Sequence, residues 1–264
     1  EAVLGAVSVE LVHLASLYHD DVMDEATERR NVVSVNGRWG NLLAVVVGDF
    51  LLARSAEIAA SLGTEIAGIL ATTLGRLTQG QVAEVRSAYR IDRSEGEYFS
   101  AITDKTGALM ATSCRIGAIT GELDTRDADA LTDYGENLGI VFQIRDDILD
   151  VIATEDEAGK APGQDLAEGI YTLPVQRALA DPDVGPELRS VLGKPLDPTE
   201  VDVARRLVTD CDAIRSSQAT ASAYAEKAAN ASERISDAEL AGALAELAIR
   251  LVDDIDRSKR ALAS

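Results

Sequence analysis

Cysteine is nearly absent from this chain of 264 residues: there are two, Cys114 and Cys211, in no CxxC or Cys/His pattern. They exclude a disulfide framework and a thiolate metal site, and they fit a reducing compartment, which points to the cytoplasm. Basic residues are few beside acidic ones, 25 Lys and Arg against 45 Asp and Glu, for a net charge of −20. That balance excludes a general nucleic-acid binder, whose phosphate contacts need cations. Long hydrophobic runs are lacking too. The nearest, Leu42 to Val47, falls far short of the ~18 residues that cross a bilayer, and no basic start introduces a signal peptide. No stable membrane insertion is expected. Aromatics are sparse at 4%, no convincing alternating strand is found and alanine is abundant, which together favour helices.

Helical periodicity is what the chain has instead. Apolar Val3, Val7, Leu11, Leu14 and Leu17 recur at helical spacing from Ala2 toward Asp24, where the segment turns acidic. The text opens at Glu1 inside this helix, with no initiator Met and no capping signal, so further residues are expected upstream. A polar loop over 25–38 should lead into an apolar helix from Asn41 to Leu62, stopped by Gly63. Helices are expected over 65–89, over 95–120 behind the Ser94/Glu97 capping box, and over 126–152, again ending in acids. Gly159, Pro162, Gly163 and Gly169 make 154–172 a loop. Short helices follow from Leu173; Asp197-Pro198-Thr199-Glu200 should open a long Ala-rich helix, and Ser236-Asp237-Ala238-Glu239 should cap a last one over 239–262. The expectation is an all-α fold, one domain over 1–264.

Two matching acidic words stand out: Asp20-Asp21-Val22-Met23-Asp24 and Asp146-Asp147-Ile148-Leu149-Asp150, each a DDxxD near the C-terminal end of an apolar helix. Asp20 and Asp24 lie one turn apart on one face, with Asp21 about 100° around. Like charges at this spacing repel one another and oppose the helix dipole, so a cation must compensate. Hard oxygen ligands with room for water and phosphate suit Mg²⁺, whereas the spacing of a calcium-binding EF-hand loop is missing. Either word alone reads as a solvated helix end; the repetition tips the balance. Asp253-Asp254-Ile255-Asp256 lacks the i, i+4 acid and reads as an ordinary solvated face.

Cations are placed to meet phosphate. Arg29 and Arg30 begin five residues after Asp24, and guanidinium groups suit bidentate phosphate contact. Lys105-Thr106-Gly107 sits inside a helix, where Gly costs about 1 kcal/mol, which suggests a kink that turns Lys and Thr to a ligand. Gln143, one turn before Asp146, could donate to a diphosphate oxygen. There is no Ser-His-Asp set, Cys-His pair or Gly-rich phosphate loop, so the chemistry indicated is metal-assisted work on a diphosphate.

In these features the chain resembles the trans-polyprenyl diphosphate synthases, which elongate isoprenyl chains head-to-tail. The likeness rests on His19-Asp20-Asp21-Val22-Met23-Asp24 with Arg29-Arg30, Gly48-Asp49-Phe50-Leu51, Lys105-Thr106-Gly107, the run Phe142 to Asp150, Gly163-Gln164-Asp165-Leu166, and Thr172-Leu173-Pro174. It implies an all-helical isoprenoid-synthase bundle around a central cavity, a homodimer, and three Mg²⁺ ions, with Mn²⁺ as a substitute. By that resemblance Asp20, Asp24 and Asp146 bind metal, with Asp21, Asp147 and Asp150 in support and Asp150 counted among the ligands. Arg29, Lys105, Thr106 and Gln143 would hold the allylic diphosphate and Arg30 isopentenyl diphosphate. Two departures are visible: the family's Gly-Gly-Lys-x-x-Arg-Pro segment precedes the first DDxxD and is not in this text, and Ile170 stands where Lys often follows the second-loop Gly.

Product length follows from what lies behind the metals. Ala15 and Ser16, roughly one turn below Asp20, are small, where family members that stop at fifteen carbons tend to carry aromatics. Leu11, Val12 and Ser8 come next, with Ala44, Val45 and Gly48 expected on the opposite wall. The open space argues for a product of about C30 to C45. Alternatives are a geranylgeranyl diphosphate synthase, a class I terpene cyclase, whose second motif usually mixes Asn, Ser or Thr with Glu, and a non-catalytic subunit of a heteromeric synthase. An HD-type phosphohydrolase would need more than His13 and His19.

Overall fold

The computed structural model describes residues 1–29, 32–152 and 162–262. Helix α1 (Ala2–Met23) ends at the first acidic word. The expected polar loop is more structured than its composition suggests: β1 (Glu28–Arg29) pairs antiparallel with β2 (Val32–Val33), and Ser34 caps the short helix α2 (Val35–Trp39) by accepting from Gly37 N–H. Helix α3 (Asn41–Leu62) then runs back along α1, with Ser55 Oγ donating to the Ser8 carbonyl at 2.6 Å. Buried Ser8, Ala15, Ala44, Gly48, Ser55 and Ala59 let these two helices approach closely, while Gly5 lies against Ile116 and Thr120. By length and composition α1 is long and apolar enough to cross a membrane, with a mean hydropathy of 1.3, because its polar residues are interspersed among apolar ones. Here it packs on α3 and carries buried Ser8 and Asp21.

Helix α4 (Thr64–Ser87) follows Gly63, whose φ of 128° stops α3 as expected. The segment 95–120 is one helical rod with a flaw. Helix α5 (Glu95–Ile102), opened by the full Ser94/Glu97 capping box, runs into a wide π turn at Thr103–Gly107 and continues as α6 (Ala108–Thr120). The expected kink is this π turn, which such bulges often provide at functional positions. Helix α7 (Thr125–Ile152) is the spine: Ile140, Ile144 and Ile148 anchor an apolar core with Tyr98, Ile102, Leu166, Leu173 and Val208, while Tyr134, Leu138 and Val141 meet a second cluster.

Among the described residues there follow α8 (Gln164–Glu168), α9 (Leu173–Ala180), α10 (Gly185–Val191), α11 (Pro198–Thr209), α12 (Ala213–Ser232) and α13 (Ala238–Leu262). Four local readings need correction. The expected loop 154–172 contains α8, and Gly159 lies outside the described residues. Asp197 and Glu200 do form a capping box, but the helix they open ends at Thr209: Asp210 and Asp212, weak helix formers, flank the break before the Ala-rich α12. Ser236 is not the cap of the last helix, because its N–H and hydroxyl donate to Asp127; Asp237 caps instead, accepting from Glu239 and Leu240 N–H at 3.0 Å each. Asp254 is not simply solvated: it lies 3.4 Å from Arg145 Nη2 and ties α13 to α7.

Candidate active site

The first acidic word divides its labour. Asp21 is buried, and its Oδ1 accepts from Arg29 at 2.7 Å through both Nε and Nη2. Asn36 Nδ2 donates to the Asp21 and Ala26 carbonyls at 3.0 and 2.9 Å, so Asp21 organises the loop that carries Arg29. Asp20 and Asp24 face a different set of charges. Burial pushes the Asp20 carboxyl up, with Lys105 opposing; burial, then Glu168 and Asp20, push Asp24 up to about 6. These are crowded carboxylates short of positive charge. Arg30 lies outside the described residues.

Lys105 and Thr106 are presented by the π turn, which is wedged between glycines of its neighbours. A Cβ on Gly80 of α4 would come within 2.7 Å of Lys105 N, and one on Gly139 of α7 within 2.7 Å of Gly107 Cα. Arg76 holds the turn from outside, donating to Asp104 at 2.8 Å and Glu136 at 3.3 Å. Lys105 Nζ donates to Glu84 at 2.6 Å; burial disfavours its charge, yet Glu84, Asp20 and Asp24 hold its pKa above the ordinary value.

In the second word Asp146 is exposed while Asp147 and Asp150 are buried. Asp147 is gripped at both oxygens, by Tyr98 Oη at 2.5 Å and Gln143 Nε2 at 2.9 Å, and burial pushes it up to about 7 against those two donors. Gln143 Oε1 in turn accepts from Thr106 Oγ1 at 2.8 Å. Thr106, Gln143, Asp147 and Tyr98 thus form one hydrogen-bonded line. Asp150 Oδ2 accepts from Asp165 N–H at 3.1 Å and its carbonyl from Gly163 N–H at 2.8 Å, so this acid fastens the start of α8.

Glu84, Tyr98 and Glu168 were not singled out by sequence motif. Glu84 had a signal: it continues the buried α4 stripe Ile66, Leu70, Thr73, Leu77 and Gly80, a carboxylate on an apolar period. Tyr98 and Glu168 reach the site through long-range packing.

Of the positions below Asp20, Ala15 and Val12 are buried, Val12 in a cluster with Ile66, Leu70, Leu77, Ala108 and Ile116, while Leu11 and Ser16 are half-buried, Ser16 Oγ bonding back to His13 O. Ser8, the next position on that face, donates to Gly5 O at the seam with α3. Of the residues expected on the opposite wall, Ala44 is buried, Val45 is exposed, and Gly48 seats His19, whose Nε2 lies 2.2 Å from where a Cβ would stand.

A model of the polyprenyl synthetase family matches residues 2–210. The chain belongs to the polyprenyl synthetase family. It is 42% identical over 197 residues to the nonaprenyl diphosphate synthase of Mycobacterium tuberculosis, covering 74% of this chain and 58% of that relative. It is 37% identical to the heptaprenyl diphosphate synthase component 2 of Geobacillus stearothermophilus, covering 92% and 76%. A crystal structure of a Caulobacter crescentus polyprenyl synthase, complexed with calcium and isoprenyl diphosphate, superposes with a TM-score of 0.89 at 33% identity, covering 94% and 77%. The family is generally Mg²⁺-dependent, and the residues here fit such an ion: the donors are carboxylate oxygens, and the raised Asp20 and Asp24 carboxyls are what a divalent cation would relieve. Among the described residues no three His, Cys, Asp or Glu side chains are grouped closely enough to hold a metal ion by themselves.

Proposed function

We propose that this chain, in its whole protein, joins isopentenyl diphosphate head-to-tail to an allylic diphosphate (geranyl, farnesyl or geranylgeranyl) and releases a polyprenyl diphosphate of about C30 to C45. The observation that carries the reading is the convergence of Asp20 and Asp24 with the Thr106–Gln143–Asp147 line around Lys105 and Glu84. The allylic C1–O bond breaks with its electron pair leaving on diphosphate, the isopentenyl double bond attacks C1, and a proton is lost to the departing diphosphate. Three Mg²⁺ ions, or Mn²⁺ in their place, would supply Lewis acidity and a template for that leaving group when held by Asp20, Asp24 and Asp146 with Asp150 in support.

Lys105 would orient the allylic diphosphate with Arg29, Thr106 and Gln143, and Arg30 would hold isopentenyl diphosphate. The apolar cluster around Val12 would keep water from the cationic carbon. Ala15, Ser16, Leu11 and Val12 would set where the growing chain stops. The nonaprenyl and heptaprenyl names of relatives support a long product. We place this enzyme in the cytoplasm as a homodimer; the relative named as component 2 favours, as a second reading, work beside a different subunit.

The test is to incubate full-length protein with farnesyl diphosphate, labelled isopentenyl diphosphate and Mg²⁺, with and without chelator. A Mg²⁺-dependent ladder ending at C30 or beyond is expected. A ladder ending at C20 keeps the transfer and overturns the product length, and no incorporation by the homogeneous protein overturns self-sufficient catalysis. Native mass spectrometry of protein purified from its host separates homodimer from heteromer.

A further inference from the structure

Arg93, in the turn between α4 and α5, is 7% exposed, and its Nε finds no hydrogen-bond partner. A guanidinium buried in this way loses hydration, and a surface loop has no evident use for it. Its setting suggests one. The guanidinium lies 5.7 Å from the ring centre of Tyr98, over its face, while Phe99 and Tyr98 form a T-shaped pair with ring centres 5.2 Å apart. Tyr98 is 1% exposed and its hydroxyl donates to Asp147. Burial works against the charge on Arg93, and the carboxylates of Glu84, Asp147 and Glu97 with the Tyr98 phenol work for it.

We propose that Arg93 is a positioning residue for the second acidic word, acting through Tyr98 to fix the Asp147 carboxylate and so the turn of α7 that presents Asp146. The inference rests on the metal-assisted reading above. With Gln143 on one oxygen and Tyr98 on the other, the Asp147 carboxylate keeps one orientation only while the phenol stays in place. Phe99 packs against the ring in a T-shaped contact, and Arg93 limits it at its face through cation–π attraction. Removing an outer partner of a metal ligand typically costs ten- to a hundredfold in metal affinity, and Asp147 is such a partner to the turn that carries Asp146. Tyr98 and Arg93 act through Asp147 and stand further out, so the lower end, about tenfold, is expected.

The test measures binding without turnover: Mn²⁺ is titrated into full-length protein with inorganic diphosphate, free Mn²⁺ is read by electron paramagnetic resonance, and each variant's Tm is recorded. R93Q should raise the Mn²⁺ dissociation constant about tenfold while R93K recovers most of the loss. Y98F should match R93Q, and R93Q/Y98F should be no worse than Y98F, because the two residues act in series. The proposal is overturned if R93Q lowers Tm but leaves the dissociation constant unchanged, or if the two penalties multiply in the double variant. Wild-type protein that binds Mn²⁺ and diphosphate yet makes no polyprenyl product would sink the proposed function alone. Wild-type protein that binds neither would sink both.

Discussion

Gly139→Ala tests whether the π turn is held by close backbone packing. The new methyl would stand 2.7 Å from Gly107 Cα, 3.1 Å from Gly107 N and 3.2 Å from the Thr106 carbonyl. Carbon atoms sit comfortably at about 3.5–4.0 Å, and every neighbour here is backbone, so the turn must retreat by about 1 Å. The Thr106–Gln143 hydrogen bond, 2.8 Å long, would then be stretched past the useful range. Overpacking costs about 1–3 kcal/mol, partly offset by the roughly 1 kcal/mol helix preference of Ala over Gly. At about 2–4 °C per kcal/mol, Tm should fall by a few degrees. A misplacement near 1 Å can cost about a hundredfold in rate, so kcat/KM for farnesyl diphosphate should fall far more than stability does. Gly68→Ala and Gly75→Ala on α4 are the controls: nothing lies within 4 Å of a Cβ at either, and each should gain about 0.4–1 kcal/mol with full activity. If Gly139→Ala keeps both Tm and kcat/KM at wild-type values, the turn is not held by this contact.

Three further outcomes are expected. Ala15→Phe and Ser16→Phe should each shorten the product to C20 or less, read by chromatography of extracted prenyl alcohols; an unchanged ladder from both places the growing chain elsewhere. Gly48→Ala should evict His19, whose Nε2 lies 2.2 Å from the new Cβ, and lower Tm, whereas the double variant with His19→Ala should recover much of the loss; equal Tm values for wild type and Gly48→Ala refute the seat. In metal-free protein Asp24, raised from 3.8 to about 6 by burial, Glu168 and Asp20, binds more protons folded than unfolded across that window, so stability should fall as pH rises through it. Asp24→Asn should therefore melt higher than wild type at about pH 8, with the advantage gone by about pH 4 and narrowed at pH 8 by Mg²⁺; an advantage independent of pH contradicts the assignment.

The helices were legible where local chemistry decides them. Ser94 with Glu97, Asp197 with Glu200, and Gly63 act within a few residues, and each does its expected work in the structure. Failures occurred where a distant group competes. Ser236 looked like a cap, but Asp127, 109 residues away, takes its donors. Gly48 shows the same reach across the chain: His19, 29 residues earlier, takes the space that a side chain there would need. The acids of the two triplets could be found by spacing alone; their partners could not, because Tyr98 lies 49 residues from Asp147 in the chain.

The two acidic words are spelled alike and stand in unlike surroundings. In the first, the middle acid is buried against Arg29, and the two outer acids carry the crowded charge near Lys105 and Glu84. In the second, the middle acid is buried between Tyr98 and Gln143, the last fastens Asp165, and Asp146 stands exposed. A carboxylate whose oxygens already accept from protein donors is poorer at giving them to an ion, since those donors compete for the same lone pairs. On the proposed reading this gives the first word two ligands and the second one, with the buried acids acting as braces. Replacing Asp150 with Asn, which keeps an oxygen for the Asp165 N–H, should then cost less Mn²⁺ affinity than replacing Asp146 with Asn. The opposite order would show that the deeper acid turns toward the metal when diphosphate arrives.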